Sequence, residues 1–216
     1  PMTSPSQMAV AGSSAFVVGG FREYDGYGDP AQNAVYLKKI ESDGSNAWTS
    51  ELNWEDSYNL ITLDSSVFVS GQRNHDLSTN PYLIRKFSKS NGSQLGEIKI
   101  AESDNDYVSG QISIIDSVGY GTIHPGNGEV RSVRFDPAEM TTIWKNTESL
   151  NVDTTYNVYV FPPSVAGDGV YMIDGDARIS KYSKISGEKL WSGGPTVPHG
   201  ATQYNDGILV VGVDDR

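Results

Sequence analysis

The sequence of 216 residues contains no cysteine, and this absence removes several kinds of chemistry at once. A disulfide scaffold, a thiolate zinc site, a cysteine nucleophile and a cysteine-ligated iron–sulfur cluster are all excluded. Basic residues are also scarce, with 16 Lys and Arg against 27 Asp and Glu and a formal net charge of −11. Because a phosphate backbone needs a positive protein field, nucleic acid is not an expected partner. No apolar run reaches the roughly 18 residues of a transmembrane helix, so no membrane span is expected.

Familiar catalytic motifs are missing as well. The sequence has no phosphate-binding Gly-x-x-x-x-Gly-Lys run, no Gly-x-Ser-x-Gly elbow and no His-Glu-x-x-His pair. The three histidines, His75, His124 and His199, fall in predicted loops that do not converge easily, so they do not predict a metal site. The first seven residues lack the basic and apolar regions of a secretory signal, although removal of an earlier signal stays open.

Tryptophan marks an internal repeat. Trp48, Trp144 and Trp191 lie about 96 and 47 residues apart, so one unmarked unit is expected near Gly96. In three of the resulting units of about 47 residues, a turn dipeptide ending in glycine stands four residues before the marked position; these are Asp43-Gly44, Asn91-Gly92 and Ser186-Gly187. Such turns favour a positive φ at glycine, and we expect it at all three.

Each unit also holds several short segments with the alternation and β-branched content of strands. The second unit reads as residues 59–63, 67–71, 82–87 and 94–100, separated by turns or a loop. A repeat of 40 to 50 residues with four antiparallel strands is typical of a β-propeller blade. The predicted fold is therefore all-β, with about four and a half blades of a larger propeller and no helix longer than a turn. A β-sandwich is the alternative, but it gives no reason for tryptophan at a fixed repeat position.

The expected boundaries follow from this frame: 1–7 flexible N-terminal segment or cloning remnant, 8–53 blade 1, 54–101 blade 2, 102–148 blade 3, 149–194 blade 4, 195–216 first half of blade 5. Two prolines among the first six residues argue against strands there. We therefore expect other chain segments to complete the propeller.

The sequence of the repeat resembles those of two known families. Ser186-Gly187 followed by Trp191 resembles the repeat of quinoprotein-type (PQQ-like) propellers, in which a Thr-Gly turn precedes tryptophan by four residues. Residues 36–48, with Lys39-Ile40, Asp43-Gly44 and Trp48, resemble the related SBBP-type bacterial propeller repeat. The resemblance implies the propeller fold over nearly the whole chain and says little about function. Quinoprotein dehydrogenases carry an adjacent cysteine pair beside the cofactor, and the absence of cysteine weakens a redox interpretation.

In propeller topology, the loops after the second and fourth strands of each blade converge on one face. Aromatic and acidic residues recur in these loops, which we call the loop-rich face and take to include residues 20–33, 72–81 and the blade junctions. The predicted ligand or partner contacts are Tyr24, Tyr27, Trp54, Asp56, Tyr58, Asp106, Tyr107, Asp153 and Tyr156. Stacking tyrosines with carboxylates suit a neutral sugar or a cationic peptide. The same recurrence also fits turn capping and packing between blades.

Short acidic loops raise the question of calcium. The candidate ligands are Asp25, Asp29, Asp104 and Asp106, and the segment Asp174-Gly175-Asp176 adds a third acidic loop. None of these loops has the residue spacing of an EF-hand. Calcium binding therefore stays possible without a recognised motif, and no other cofactor is expected.

Two functions of different kinds remain. The first is a non-catalytic binding or scaffold module, secreted, periplasmic or on a cell surface, with a protein or glycan partner. The alternative is a quinoprotein-like or hydrolytic enzyme with its site at the central channel. The lack of a catalytic signature favours the first.

Overall fold

The computed structural model describes residues 4–24, 30–52, 54–73, 81–101, 109–124, 128–149, 162–174, 178–193, 197–204 and 207–213. Within these ranges every regular element is a β-strand, and no helix is long and apolar enough to cross a membrane. The chain divides into two compact units, Pro1–Glu102 and Ser103–Arg216.

The first unit contains two four-stranded antiparallel sheets with strands in sequence order. Blade 1 comprises β1 (Ser4–Ala11), β2 (Ser14–Tyr24), β3 (Pro30–Ile40) and β4 (Asn46–Glu51). Blade 2 comprises β5 (Trp54–Leu63), β6 (Ser66–Arg73), β7 (Tyr82–Ser88) and β8 (Gln94–Ala101). The core between the two sheets includes Phe16, Leu37, Val69 and Phe87.

The second unit contains two further four-stranded sheets and a hairpin. Blade 3 comprises β9 (Ser109–Ile115), β10 (Val118–His124), β11 (Glu129–Asp136) and β12 (Thr141–Ser149). Blade 4 comprises β13 (Ser164–Ala166), β14 (Gly169–Ile173), β15 (Ile179–Ser183) and β16 (Lys189–Gly193). The last hairpin joins β17 (Val197–Tyr204) to β18 (Gly207–Val213).

The register confirms the tryptophan repeat. Tryptophan pairs with a basic residue of the third strand at Lys39↔Trp48, Arg134↔Trp144 and Lys181↔Trp191, and the ladder shifts register directly after each pair. In blade 2, Gly96 pairs with Lys86 at the same place, again beside a register shift. The three tryptophans therefore occupy equivalent positions on the outermost strand, and Gly96 is the unmarked fourth position.

The turns before these positions also agree with the sequence. Gly44, Gly92 and Gly187 have φ angles of 81°, 72° and 75°, which confirms the predicted left-handed conformation. Blade 3 has Asp136-Pro137 in its turn, and Met140 takes the corresponding left-handed position with φ 54°. A non-glycine residue there is uncommon, because its Cβ crowds the backbone.

Two sequence expectations need correction. Strand β1 begins at Ser4, inside the segment expected to be flexible and without strands. Pro5 is tolerated because β1 is an edge strand and its register with β2 shifts between Pro5 and Gln7. The tryptophan repeat also predicts that each ring packs against a neighbouring sheet, whereas Trp191 is 49% exposed.

Candidate functional site

Most residues predicted to bind a ligand or metal lie outside the described part of the chain. These are Asp25, Tyr27, Asp29, Asp104, Asp106, Tyr107, Asp153 and Tyr156. Tyr24 is the last residue of β2, and Trp54, Asp56 and Tyr58 lie in β5, where the backbone is described. The aspartate and tyrosine contacts of the loop-rich face and the calcium-binding loops therefore stay predictions. Among the described residues, no group of three metal-ligating side chains occurs.

Three of the described candidates, Trp54, Asp56 and Tyr58, lie at the start of β5. Asp56 pairs with Gln72 across the ladder, and Trp54 pairs with Arg73. Two register shifts follow each other here, between Trp54 and Asp56 and between Ser57 and Asn59. Bulges end regular pairing and redirect side chains, and they are common beside binding sites. The fold thus places an irregular, aromatic and acidic segment next to the end of β6.

Gln72 is the polar side chain at this strand end. It is 2% exposed, and its Nε2 has no hydrogen-bond partner among the described residues. On its other side it pairs with Tyr82, whose buried hydroxyl donates to Ser70 at 2.9 Å. Because an unpaired buried amide is costly, each such group in a folded protein calls for an explanation.

His124 occupies the corresponding place in blade 3 of the second unit. The basic residues Lys86 and Arg134, which pair with the outer-strand position of their blades, pair on the other side with Phe68 and Tyr120 of the second strands. Gln72 lies four residues after Phe68, and His124 lies four residues after Tyr120. The half-buried ring of His124 leaves Nε2 without a partner in the described structure. Burial lowers the pKa of His124, so the ring is neutral at pH 7. Thr122, two residues earlier on β10, is fully buried and its Oγ1 also lacks a partner there.

The sequence analysis placed Gln72 at the start of the loop 72–81 of the loop-rich face without naming it as a contact, and it considered His124 as a candidate metal ligand. A signal was present, because Gln72 ends an apolar run and aligns with His124 once the blades are superposed on their outer-strand positions. The other two histidines give no structural test. His75 lies outside the described residues, and only the backbone of His199 is described, in β17.

A buried charged cluster joins blades 3 and 4 in the second unit. Asp174 is fully buried and accepts hydrogen bonds from Ser180 and Ser192, each at 2.6 Å, and from the backbone N–H of Arg178 at 3.0 Å. The ammonium of Lys189 lies 3.3 Å from Asp174 and also contacts Glu148, which accepts from the Tyr182 hydroxyl at 2.8 Å. Every charge in this cluster has a partner, which indicates a structural role.

The pKa shifts agree with that role. Burial raises the pKa of Asp174, but hydrogen bonds from Ser180, Ser192 and Arg178, with the charge of Lys189, outweigh burial and hold the pKa below its ordinary value. Burial lowers the pKa of Lys189, but its contacts with Glu148 and Asp174 raise it overall. Burial and the adjacent Glu148 raise the pKa of Tyr182. Asp174, the one described member of the third acidic loop, is therefore bound to protein donors.

Comparison with known proteins supports the fold. No protein-family model matches the chain, and no curated protein matches it either. Among solved structures, the chain is similar to the computationally designed Ika8 protein, with 13% identity, a TM-score of 0.53 and coverage of 96% of this chain and 67% of that one.

Two quinohemoprotein alcohol dehydrogenases are also similar. The likeness to ADHIIG from Pseudomonas putida HK5 has 8% identity and a TM-score of 0.52, and covers 89% of this chain and 42% of that one. The likeness to the Comamonas testosteroni enzyme has 9% identity and a TM-score of 0.51, and covers 98% and 46%. These similarities establish the fold alone. The fold is a β-propeller with four-stranded antiparallel blades, and the described residues form four such blades and the hairpin β17–β18.

Proposed function

We propose that this chain is a non-catalytic binding module that engages a protein or a glycan through the loop-rich face. The observation that carries the proposal is the buried, unpaired amide of Gln72 at the end of β6, where the chain enters that face. Because the amide is buried, a ligand acceptor reaches it only when neighbouring side chains move aside; it would then satisfy the amide N–H groups and remove the cost of leaving them unpaired.

The bulged strand beside Gln72 supports the same location. The backbone of Trp54, Asp56 and Tyr58 runs opposite Gln72 and its neighbours, so aromatic and acidic residue types stand at one strand end. Aromatic faces stack on sugar rings or on cationic groups, and a carboxylate accepts hydrogen bonds from hydroxyls or ammonium groups. This combination of residue types suits a neutral glycan or a basic peptide segment.

A matching residue in the second unit supports the proposed binding face. His124 presents an unpaired ring nitrogen at the position that matches Gln72, again beside a loop of the predicted face. The net charge of −11 disfavours anionic ligands. A secreted, periplasmic or cell-surface location fits a module of this kind and is part of the proposal.

The test replaces Gln72 with methionine, which has a similar volume and no polar hydrogens. We expect the variant to lose at least tenfold in affinity for whichever probe the wild type binds, from a panel of neutral glycans and a lysine decapeptide. Its stability should stay equal or rise, because an unpaired buried group has been removed. Gln94→Met is the matched control, since Gln94 is exposed at the start of β8.

Two results would contradict the proposal. Loss of stability in Gln72→Met with unchanged binding would mean that the amide has a partner inside the protein. A large thermal stabilisation by pyrroloquinoline quinone, with none by the glycans or the peptide, would favour the dehydrogenase alternative. Calcium belongs in the same thermal series, because the candidate loops are acidic.

A further inference from the structure

Two asparagines in the sequence are followed directly by glycine, at Asn91-Gly92 and at Asn127-Gly128. Asparagine is a thermolabile residue, and a following glycine leaves the peptide nitrogen uncrowded because it has no Cβ. Asn91 is exposed in the hairpin turn between β7 and β8, whereas Asn127 lies outside the described residues. The structure therefore shows the surroundings of the first pair.

The side-chain amide of Asn91 is held by Ser93. The Ser93 backbone N–H donates to Oδ1 of Asn91 at 3.1 Å, and the Ser93 hydroxyl donates to the same oxygen at 2.9 Å. When a nucleophile adds to Cγ, negative charge develops on Oδ1, and two donors aimed at that oxygen stabilise the charge. The turn thus activates the amide carbon of Asn91 for attack.

The backbone nitrogen of Gly92, the nearest nucleophile along the chain, is restrained. Its N–H donates to the Ser88 carbonyl at 2.9 Å, and the Gly92 carbonyl accepts from the Ser50 hydroxyl of blade 1 at 2.7 Å. Gly92 is buried under Trp48, since an added Cβ would lie 2.6 Å from the indole ring. To attack Cγ of Asn91, the nitrogen has to leave Ser88 and the peptide has to rotate, and the contacts with blade 1 oppose this rotation.

We propose that Asn91 is a site of spontaneous deamidation and that the contact between Gly92 and blade 1 controls its rate. The Gly92 nitrogen forms a bond to Cγ of Asn91, the Cγ–Nδ2 bond breaks, and ammonia leaves with the proton of the Gly92 amide. Water then opens the cyclic imide at one of its two carbonyls. The product at position 91 is therefore either aspartate or isoaspartate, with no change of oxidation state.

The two products have different consequences for the fold. Aspartate fits the turn, because Asp43 in the corresponding turn of blade 1 accepts from the Ser45 N–H at 2.9 Å, as Asn91 accepts from Ser93. Isoaspartate inserts a methylene into the main chain directly before Gly92. That residue then cannot keep both of its hydrogen bonds beneath the indole ring, so isoaspartate opens the contact between blades 1 and 2.

The test follows deamidation of the intact chain in mildly alkaline buffer, by peptide mapping with mass spectrometry. Trp48→Ala removes the ring and its hydrogen bond to the Lys89 carbonyl, and should speed conversion of Asn91 at least fivefold. Ser50→Ala keeps the ring and should give a smaller increase. Ser93→Ala should slow conversion, because it removes one of the two donors to Oδ1.

Asn127 provides an internal reference, because it lies in the second unit and its rate should not respond to Trp48→Ala. Leu95→Ala, an exposed change on β8, is the matched control and should leave the rate at Asn91 unchanged. An unchanged rate at Asn91 in Trp48→Ala would overturn the proposal. An equal rise at Asn127 would do so too, because global unfolding would then be the cause.

The products test the consequence for the fold. Asn91→Asp, which reproduces the aspartate product, should match the wild type in urea unfolding. The fraction of aged protein that peptide mapping identifies as isoaspartate should unfold at a lower urea midpoint, with red-shifted tryptophan emission before unfolding. An isoaspartate fraction as stable as the wild type would show that the contact with blade 1 does not depend on this turn.

Discussion

Gly187 shows how one residue joins two blades. Its φ of 75° is a region that L-residues avoid, and its missing Cβ makes room for the Trp144 ring. Gly44 shares the first requirement, with φ 81°, but has no atom within 4 Å of an added Cβ. A comparison of the two positions therefore distinguishes the cost of a left-handed backbone from the cost of steric overlap with a neighbouring ring.

Substitution of each glycine by alanine should distinguish these effects. Gly44→Ala carries the left-handed penalty of roughly 1–2 kcal/mol. Gly187→Ala adds an overlap with Trp144 and should cost about 2–4 kcal/mol in total. Urea unfolding followed by circular dichroism measures both, and equal losses would show that the ring moves aside freely.

The lowered pKa of Asp174 predicts that the free energy of unfolding falls at acidic pH. Its pKa is lowered in the folded state, so its contribution to stability is present above the unfolded value of about 3.9 and is lost as pH falls through the folded value. Asp174→Asn should cost about 3–5 kcal/mol at pH 7, because Lys189 and two serine donors lose a buried anion.

Between pH 5 and pH 3, Asp174→Asn should also lose less of its remaining stability than the wild type, as measured by the midpoints of urea unfolding. Asp168→Asn is the control, since this aspartate is largely exposed and pairs with Lys181 at the surface. A wild-type midpoint that falls no more steeply with acid than that of Asp174→Asn would contradict the assignment.

At the scale of elements, the outermost strands carry the contacts between blades. β12 presents Trp144 to the turn of blade 4, whereas β16 presents Trp191 to solvent. Both tryptophans occupy the same register position on the outermost strand of their blade, so the difference arises from what lies next to each strand.

Replacement of each tryptophan by alanine should therefore give unequal results. Trp144→Ala removes a packed ring and its hydrogen bond and should cost about 3–5 kcal/mol of unfolding free energy. Trp191→Ala should cost well under half as much, because half of its surface is already exposed. Chemical denaturation of the intact chain measures both, and equal costs would mean that Trp191 is buried in solution.

At the scale of the whole molecule, the excess of acidic residues governs solubility. The net charge of −11 at pH 7 keeps molecules apart, and this repulsion vanishes near the isoelectric point of about 4.6.

We expect a reversible maximum of turbidity near that pH, with the near-UV circular dichroism of the folded state retained, because Asp174 titrates at lower pH. Light scattering and circular dichroism on the same samples provide the measurement. Loss of the near-UV signal at higher pH than the turbidity would show that unfolding, and not charge neutralisation, causes the association.

The sequence by itself determined the repeat, the four-stranded blade and the left-handed glycines, because alternation, turn residues and tryptophan spacing are local properties of the chain. Only the tertiary structure decided which tryptophans find a neighbour, that Pro5 lies in a strand, and that Gln72 and His124 are buried without partners among the described residues. Burial and hydrogen bonding depend on residues distant in sequence, such as Lys184 for Trp144 and Lys189 for Asp174. Spacing along the chain carries no information about such partners until the sheets have packed.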